Sequence, residues 1–307
     1  TTGQTDVLTA GAGPVGLLLA NLLGTRGQRC LLVDKRVEQP EWSRAIGITP
    51  PSLGILRSIG LAGLFLDCGV PIGRAHVHGD KRELGGLDFG ILDAEYPFVL
   101  SIPQAETMRI LTEALLRLPS VTFRQGLELI DFTQEEECIR CRLRDHGSQR
   151  EATLPAAVLV GCDGHDSTTR KLLNITSDVK TYSPSFVMAD FDRGPDFNDD
   201  AHLFFTRHGS VESFPLPGGR RRWVALKPPS ASATDAEVLL ERVLRIADRD
   251  LRSSPIHMQS SFTPVRLLAR RFFQNRAVLC GDAAHIMTPI GGQGMNTGFA
   301  DAEFLAA

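Results

Sequence analysis

A glycine-rich turn constrains the fold of this chain more than any other feature. The turn contains Gly11, Gly13 and Gly16 in the spacing G-x-G-x-x-G. An apolar run over Asp6–Ala10 predicts a buried strand before it, and an apolar helix and a second strand ending at Asp34 are predicted after it. The first glycine permits a tight turn, the second lets a pyrophosphate approach the backbone, and the third lets helix and strand pack closely. The sequence therefore predicts a βαβ unit that binds a dinucleotide.

The acidic residue at the end of the second strand supports this interpretation. A carboxylate in the position of Asp34 can accept hydrogen bonds from both ribose hydroxyls. The helix that begins after the turn offers unpaired N–H groups and a partial positive charge to phosphates. This first motif is compatible with either FAD or NAD.

Two later motifs favour FAD. Asp163-Gly164, with Arg170 downstream, follows a predicted strand over 157–160, and Gly281-Asp282 follows another over 277–280. After Asp282 come a loop of proline and glycines and a helix that opens near Gly294–Asn296. The positive end of such a helix would stabilise the negative charge that a reduced flavin carries on its pyrimidine edge.

The three motifs together resemble the class A FAD-dependent aromatic hydroxylases, the family of p-hydroxybenzoate hydroxylase and the polyketide aromatic hydroxylases. The resemblance extends from Asp6 to Phe304. It implies a monooxygenase that hydroxylates a phenol-like or polyketide ring with NADPH or NADH and molecular oxygen, through a flavin C4a-hydroperoxide. Members lack a second nucleotide fingerprint, so the nicotinamide is expected to bind transiently.

The resemblance also implies roles for particular residues. The pyrophosphate would be surrounded by Gly11, Gly13, Val15 and Gly16. Asp34 would hold the adenosine ribose, although the family more often has Glu there, and Leu127 would contact adenine. Arg44 and Gln104 would reach the phosphates and the flavin chain. Further cofactor contacts would come from Asp163, Gly281, Asp282, Gly292, Gly294, Met295 and Asn296. No side chain is assigned as catalytic.

The order of predicted elements gives the fold class. Parallel-type βα units come first and recur near 157–170 and 277–307, with antiparallel-type strands between them. We expect an α/β fold, a Rossmann-like FAD-binding domain with an inserted, mainly antiparallel sheet domain for substrate. The predicted FAD-binding segments are 1–70, 103–174 and 266–307, and the predicted sheet segments are 71–102 and 175–265.

The substrate is expected between the inserted sheet and the flavin, beside the loop at 288–292. Phe204, Phe205 and Phe214 on the predicted strands, together with Pro289, are candidates to line this pocket. Ordinary core packing is the alternative for each phenylalanine. The sequence does not identify the substrate, the nucleotide preference or the oligomeric state.

Two other functions stay open. The chain could be a reductase, epoxidase or oxidase of the same fold. It could also be a truncated flavin-binding module without full activity, because it stops at Ala307 inside a predicted helix where family members usually continue.

Composition excludes several other classes of protein. The net charge of −3 gives no general attraction to nucleic acid, and no apolar run approaches the roughly 18 residues of a membrane span. The six cysteines are scattered, which indicates reduced thiols and a cytoplasmic location. Cys138 and Cys141 form a C-x-x-C without a second pair, and His76 and His78 lack an evident third ligand, so no metal is predicted.

Overall fold

The computed structural model describes residues 5–38, 45–80, 82–194, 198–228 and 233–307. These residues form a mixed α/β protein with one largely parallel sheet and one largely antiparallel sheet. The predicted fold class is therefore confirmed. None of the helices in these ranges is long and apolar enough to cross a membrane.

The elements follow one another in three stretches. The first contains β1 (Thr5–Ala10), α1 (Pro14–Thr25), β2 (Cys30–Asp34), β3 (Gly47–Ile48), α2 (Pro50–Ser58), α3 (Ala62–Cys68), β4 (Val70–Ile72), β5 (Arg74–His78), β6 (Glu83–Asp88) and β7 (Val99–Ser101). The second contains α4 (Gln104–Leu115), β8 (Val121–Gln125), β9 (Leu127–Gln134), β10 (Ile139–Asp145), β11 (Glu151–Gly161), α5 (Thr168–Leu172), β12 (Ser177–Thr181) and β13 (Ser185–Asp192). The third contains β14 (Ala201–Thr206), β15 (Gly209–Leu216), β16 (Arg220–Lys227), α6 (Asp235–Ala247), β17 (Ile256–Phe262), β18 (Val265–Ala269), β19 (Phe273–Gln274), β20 (Ala277–Leu279), β21 (His285–Ile286) and α7 (Gln293–Ala306).

The largely parallel sheet is assembled from segments far apart in the chain. Its strand order is β19-β20-β11-β1-β2-β8, and β1, β2, β8, β11 and β20 pair in parallel. The strands β1, β2 and β20 are short apolar runs, as expected for strands that are covered on both faces. Because the parallel strands end at the same edge, the three sequence motifs all leave the sheet there.

The largely antiparallel sheet has the order β17-β13-β16-β15-β14-β5-β6. All of its pairs are antiparallel except β14 with β5. Helix α6 covers one face, where Trp223 and Phe191 are buried beneath it. A capping box between Thr234 and Glu237 fixes the start of α6.

Two small sheets lie beside the large ones. The strands β3, β7 and β4 form one, and β12, β18 and β21 form the other. The chain passes from β4 in a small sheet to β5 in the antiparallel sheet after a single residue, Gly73. The domain boundaries given in the sequence analysis stay a prediction.

Two predicted elements differ from those observed. The sequence pattern predicts one helix over 52–66, but the structure contains two, α2 and α3, because Gly60 adopts a φ of +74° that an α-helix does not accommodate. The sequence pattern also predicts one strand over 72–79, and the structure divides this region between the end of β4 and β5.

Candidate functional site

The first glycine turn is shaped by close backbone contacts. Gly11 has a φ of +103°, and a Cβ there would lie 2.4 Å from the carbonyl oxygen of Cys162. A Cβ on Gly16 would lie 1.9 Å from the carbonyl oxygen of Gly11. Gly13 differs from both, because a Cβ on it would meet no protein atom within 4 Å. Gly11 and Gly16 are therefore required by the fold, and Gly13 borders open space.

Helix α1 begins at this open space. Gly13 is its N-cap, Pro14 is its first residue, and no side chain caps the helix. The first N–H groups of a helix have no partner inside it. These groups and the helix dipole form an anion site beside Gly13.

Asp34 lies next to the same turn but already has protein partners. Its Oδ2 accepts a hydrogen bond from the Ala12 N–H at 2.7 Å, and both of its oxygens accept from the Arg36 side chain at 3.2 Å. Burial opposes ionisation of this carboxyl, but the hydrogen bonds from Arg36 and Ala12 prevail and lower its pKa. The Arg36 side chain is half-exposed, so a ribose hydroxyl would bind by displacing it.

Leu127 lies close to this end of the site. It follows Gly126, whose N–H donates to the Arg36 carbonyl at 3.0 Å. Leu127 begins β9 and is partly buried. Its backbone thus lies near Asp34 and Arg36, where the adenosine of a dinucleotide is expected.

The second motif holds local structure together. Asp163 accepts hydrogen bonds from the Ser167 hydroxyl at 2.5 Å and from the N–H and hydroxyl of Thr169 at 2.8 and 2.9 Å. Arg170 is buried and donates to the carbonyl oxygens of Ala283 and His165 at 2.8 and 2.6 Å. Through Arg170, the second motif is bonded directly to the third.

The third motif begins with a turn that a partly buried pair, His285 and Asp301, stabilises. The Gly281 N–H donates to Asp301 Oδ2 at 3.0 Å, and His285 Nε2 lies 2.6 Å from the same oxygen. The hydrogen bond to Asp301 raises the pKa of His285. Sequence reasoning missed Asp301, which lies on α7 and whose role depends on how α7 packs.

Asp282 has a different environment from Asp34 and Asp163. Its side chain reaches solvent, yet protein surrounds it closely enough that desolvation raises its pKa. No hydrogen bond to its carboxyl is present within the described ranges. This carboxyl is accessible and unpaired within the described ranges, so it can accept a hydrogen bond from a ligand hydroxyl.

The loop before α7 contains two residues with left-handed backbone. Gly291 and Gly292 have φ values of +75° and +64°, and a Cβ on Gly294 would meet no protein atom within 4 Å. Gly292 is the N-cap of α7, and no side chain caps this helix. The N–H groups of the first turn, Met295 among them, therefore have no partner within the helix.

Asn296 connects this helix start to the rest of the molecule. Its side chain is 6% exposed. Its amide oxygen accepts from the Thr49 N–H at 3.0 Å, and its amide nitrogen donates to the carbonyls of Gly47 and Gly292 at 3.0 and 2.8 Å. The side chain of Asn296 thus positions the loop before α7.

The three motifs, distant in sequence, contact one another. Val15 of the first packs against Gly281 and Gly298 of the third, where a Cβ would lie 3.2 and 2.5 Å from its methyl groups. Cys162, just before the second motif, packs against Gly11 and Gly16 of the first. The motifs therefore form one site at the edge where the parallel strands end.

Gln104 opens α4, where the sequence predicts it. Its side-chain amide makes only a weak contact with the Met108 sulfur at 3.9 Å, and its N–H donates to the Ala45 carbonyl at 3.2 Å. The amide is available to a ligand. Arg44, its predicted companion, lies outside the described residues.

The predicted substrate residues lie on two different faces of the antiparallel sheet. Phe214 packs with Ile72, Ala75 and Ala201 on the face away from α6. Phe204 is buried beneath α6 instead. The position of Phe204 fits the alternative of ordinary core packing, because side chains alternate along a strand and the register turns Phe204 into the core. Phe205 is about half exposed, and Pro289 is exposed in the loop before α7.

The histidine pair on β5 has a third neighbour that the sequence did not reveal. His202 of β14 stacks on His76 with ring centroids 5.0 Å apart, and its Nδ1 lies 3.1 Å from His78 Nε2. His76 is already bonded to Glu83 and Asp200. Across the ranges that the structure describes, no group of three or more His, Cys, Asp or Glu is placed to hold a metal ion.

The fold and the joined glycine motifs define a dinucleotide-binding α/β protein. A profile of the FAD-binding domain family matches residues 4–307. The chain therefore belongs to this family, and the resemblance to the FAD-dependent aromatic hydroxylases is confirmed.

Several known proteins are similar to this chain. The 6-methylpretetramide 4-monooxygenase of Streptomyces rimosus is 34% identical across 98% of this chain and 55% of its own length. The rifampicin monooxygenase of Rhodococcus hoagii is 31% identical across 97% of this chain and 62% of its own length. The crystal structure of p-nitrophenol 4-monooxygenase from Pseudomonas putida superposes with a TM-score of 0.89 at 25% identity, over 99% of this chain and 78% of that one. The chain thus spans little more than half the length of the two curated relatives.

Proposed function

We propose that this chain is the FAD-binding and substrate-binding part of a monooxygenase that hydroxylates an aromatic, phenol-like or polyketide substrate with NADPH or NADH and molecular oxygen. The observation that carries the proposal is the joining of three glycine motifs into one site, at which two uncapped helix starts are free to bind a ligand. The names of the relatives, which are monooxygenases of polyketide and other aromatic compounds, support the choice of substrate class.

The residues of the site fit FAD from one end to the other. The start of α1 beside Gly13 is an anion site for the pyrophosphate. Asp34 and the backbone of Leu127 are in reach of the adenosine, and Gln104 and Asp282 have polar atoms free for the chain of hydroxyls between the two rings. The accessible backbone at Gly292, Gly294 and Met295 fits a planar ring.

When bound, FAD would supply the redox and oxygen-activating chemistry, for which no side chain of the site is suited. The protein's own contribution is position and charge. The N–H groups of the first turn of α7 would stabilise negative charge on the pyrimidine edge without a basic side chain. The sheet face that carries Phe214 would hold the substrate and exclude water from it.

We further propose that segments 1–70, 103–174 and 266–307 bind the cofactor and that segments 71–102 and 175–265 bind the substrate. A reducing cytoplasmic location is proposed because all six cysteines are free thiols and four of them are buried. Burial raises the pKa of Cys30 to about 11 and that of Cys141 to about 12, so these thiols are unreactive.

A visible absorption spectrum followed by nucleotide addition tests the proposal. We expect flavin bands that bleach when NADPH or NADH is added without oxygen, and nucleotide oxidation in air that a phenol accelerates. Measurement of hydroxylated product against peroxide separates a hydroxylase from an oxidase or reductase of the same fold. Absence of flavin bands after incubation with FAD would contradict the proposal.

A further inference from the structure

One carboxyl group on the antiparallel sheet has no role in the site described so far. Glu212 lies in β15, between Val211, which is buried beneath α6, and Ser213. Because side chains alternate along a strand, Glu212 points to the same face as Phe214, away from α6. Within the described ranges, α6 is the only helix that packs extensively on this sheet, so no helix covers the face on which Glu212 lies in this way.

The neighbours of Glu212 on this face are mostly apolar. Leu203 on β14 and Val224 on β16 lie directly opposite it in register. Met188 continues the row on β13, and Phe214 is the next residue of β15 on the same side. Within its own row on this face, Glu212 is therefore a carboxyl flanked by apolar side chains.

Glu212 also lacks a partner. No hydrogen bond or ion pair joins it to any other residue in the part of the chain that the structure describes. The side chain is half-buried, and desolvation alone raises the pKa of its carboxyl. A carboxyl that is half-buried among apolar side chains and unpaired within the described ranges leaves its oxygens free for a hydrogen-bond donor from outside the fold.

The other charged residues on this face, Arg222 and Asp190, differ from Glu212 because they pair with each other. Arg222 and Asp190 are both buried and form a bidentate pair, with Nε–Oδ1 and Nη2–Oδ2 distances of 2.7 and 2.9 Å. They lie one row from Glu212 and nearer to Phe214, since Arg222 is the register partner of Phe214. The fold thus pairs the charges of this face except at Glu212.

A continuous path of contacts links this face of the sheet to the start of α7, which is proposed to meet the flavin. The Ser101 hydroxyl donates to the Pro215 carbonyl at 2.5 Å, and Ser101 pairs with Gly47 across β7 and β3. The Gly47 carbonyl accepts from Asn296 at the start of α7. Glu212 is three residues from Pro215 on the same strand, or about 10 Å at the usual rise of a strand.

We propose that Glu212 is a specificity-determining residue that accepts a hydrogen bond from a hydroxyl group of the aromatic substrate. The proposal rests on the function proposed above and narrows its substrate class to aromatic compounds that carry a free hydroxyl. A site with an unpaired acceptor discriminates strongly against an analogue that cannot donate, because the acceptor then stays desolvated and unsatisfied. Glu212 selects and orients the ring and is not assigned a step in the chemistry.

A matched pair of ligands tests this role. Binding of 2-naphthol and of its methyl ether, 2-methoxynaphthalene, is measured through the change that each causes in the absorbance of the bound flavin. We expect the wild-type protein to prefer 2-naphthol by about tenfold to a hundredfold, the range of one hydrogen bond to a charged group. In Glu212→Leu this preference disappears while the ether binds at least as well, and in Glu212→Gln the preference is reduced.

Two controls separate recognition from loss of structure. Glu241→Leu changes an exposed glutamate on α6, on the other side of the sheet, and is expected to keep the wild-type preference. Glu212→Leu removes an unpaired carboxyl, so thermal unfolding is expected at the same or a higher temperature than in the wild type. A clearly lower unfolding temperature would mean that Glu212 has a structural partner, which overturns the proposal.

The outcomes also distinguish this inference from the proposed function. Absence of bound flavin in the wild-type protein would contradict the function itself. If flavin is bound but the wild type does not prefer 2-naphthol, or if Glu212→Leu keeps the preference, the role of Glu212 is wrong and the function is unaffected.

Discussion

The starts of α1 and α7 are two helix ends without a side-chain cap in one site, but they are held in different ways. At α1, Gly11 and Gly16 are enclosed by backbone, with Cβ positions 2.4 and 1.9 Å from neighbouring carbonyl oxygens. At α7, Gly291, Gly292 and Gly294 have no neighbour within 3.4 Å of a Cβ position. The first helix start is fixed by packing, whereas a single buried side chain, Asn296, ties the second in place.

This difference suggests that the two helix starts serve different parts of the cofactor. A pyrophosphate is the same in every dinucleotide, so a rigid cradle serves it well. A flavin ring must be reached by a nicotinamide, by oxygen and by the substrate, so more open backbone around it is an advantage. The comparison predicts that substitutions at α1 act through folding or FAD affinity, and that substitutions at α7 act more mildly.

Gly16→Ala is expected to have the largest effect. Its Cβ would collide with the Gly11 carbonyl, and backbone on both sides must move. We expect the free energy of unfolding to fall by about 3 kcal/mol or more, the upper range for overpacking. Chemical denaturation followed by circular dichroism measures it.

Gly13→Ala is the matched control at the same turn. A Cβ there meets no protein atom, and the φ of −71° suits alanine. Stability should change by less than about 1 kcal/mol, while the methyl group obstructs the pyrophosphate and FAD affinity falls at least about tenfold, which is about 1.4 kcal/mol. If Gly13→Ala binds FAD normally, the pyrophosphate does not lie on this backbone.

Asn296→Ala is expected to have an intermediate effect at the second helix start. It leaves the Thr49 N–H and the Gly47 carbonyl without their partner, which costs about 1–3 kcal/mol for buried groups. We expect a lower unfolding temperature and weaker FAD binding.

Thr297→Ala is the control, since the Thr297 hydroxyl bonds mainly within its own helix. This substitution should change the free energy of unfolding by less than about 0.5 kcal/mol. If Asn296→Ala and Thr297→Ala changed the unfolding temperature and FAD binding equally, Asn296 would not be the residue that holds the start of α7 in place.

The features predicted correctly from sequence are those encoded by local pattern. Continuous apolar runs over Cys30–Asp34 and Ala277–Leu279 correctly identify buried parallel strands, because both faces of such strands are covered. The glycine spacing correctly predicts the turn before α1, since only glycine fits at Gly11 and Gly16. These inferences need no knowledge of distant residues.

The features that were missed depend on how distant elements pack. Phe204 and Phe214 looked equivalent in sequence, and only the register of β14 and β15 shows that they lie on opposite faces. Asp34 was predicted to meet a ribose, but the fold also brings its carboxylate to the Ala12 N–H of the glycine turn, 22 residues earlier in the chain. Glu212 was overlooked because a lone glutamate in a strand has no motif, and its isolation is visible only in the folded sheet.

A smaller effect than that of Asn296→Ala is expected for the partly buried pair of His285 and Asp301, and this effect depends on pH. The pKa of His285 is raised in the folded protein, so the pair contributes its full stability below the unfolded value near 6.5, and that contribution is lost as the pH rises through the folded value. We expect His285→Gln to lower the free energy of unfolding by about 1–2 kcal/mol at pH 6, as for a hydrogen bond to a charged group. The difference in the free energy of unfolding between the variant and the wild type should shrink at higher pH.

Urea denaturation of both proteins from pH 6 to pH 9 measures this difference. A difference that grows with pH would contradict the prediction, because it would show that His285 bonds to Asp301 only as a neutral donor. Because Asp301 also holds the Gly281 N–H, Asp301→Asn should disturb the turn before Asp282 at every pH, which separates the pH-dependent part of this support from the constant part.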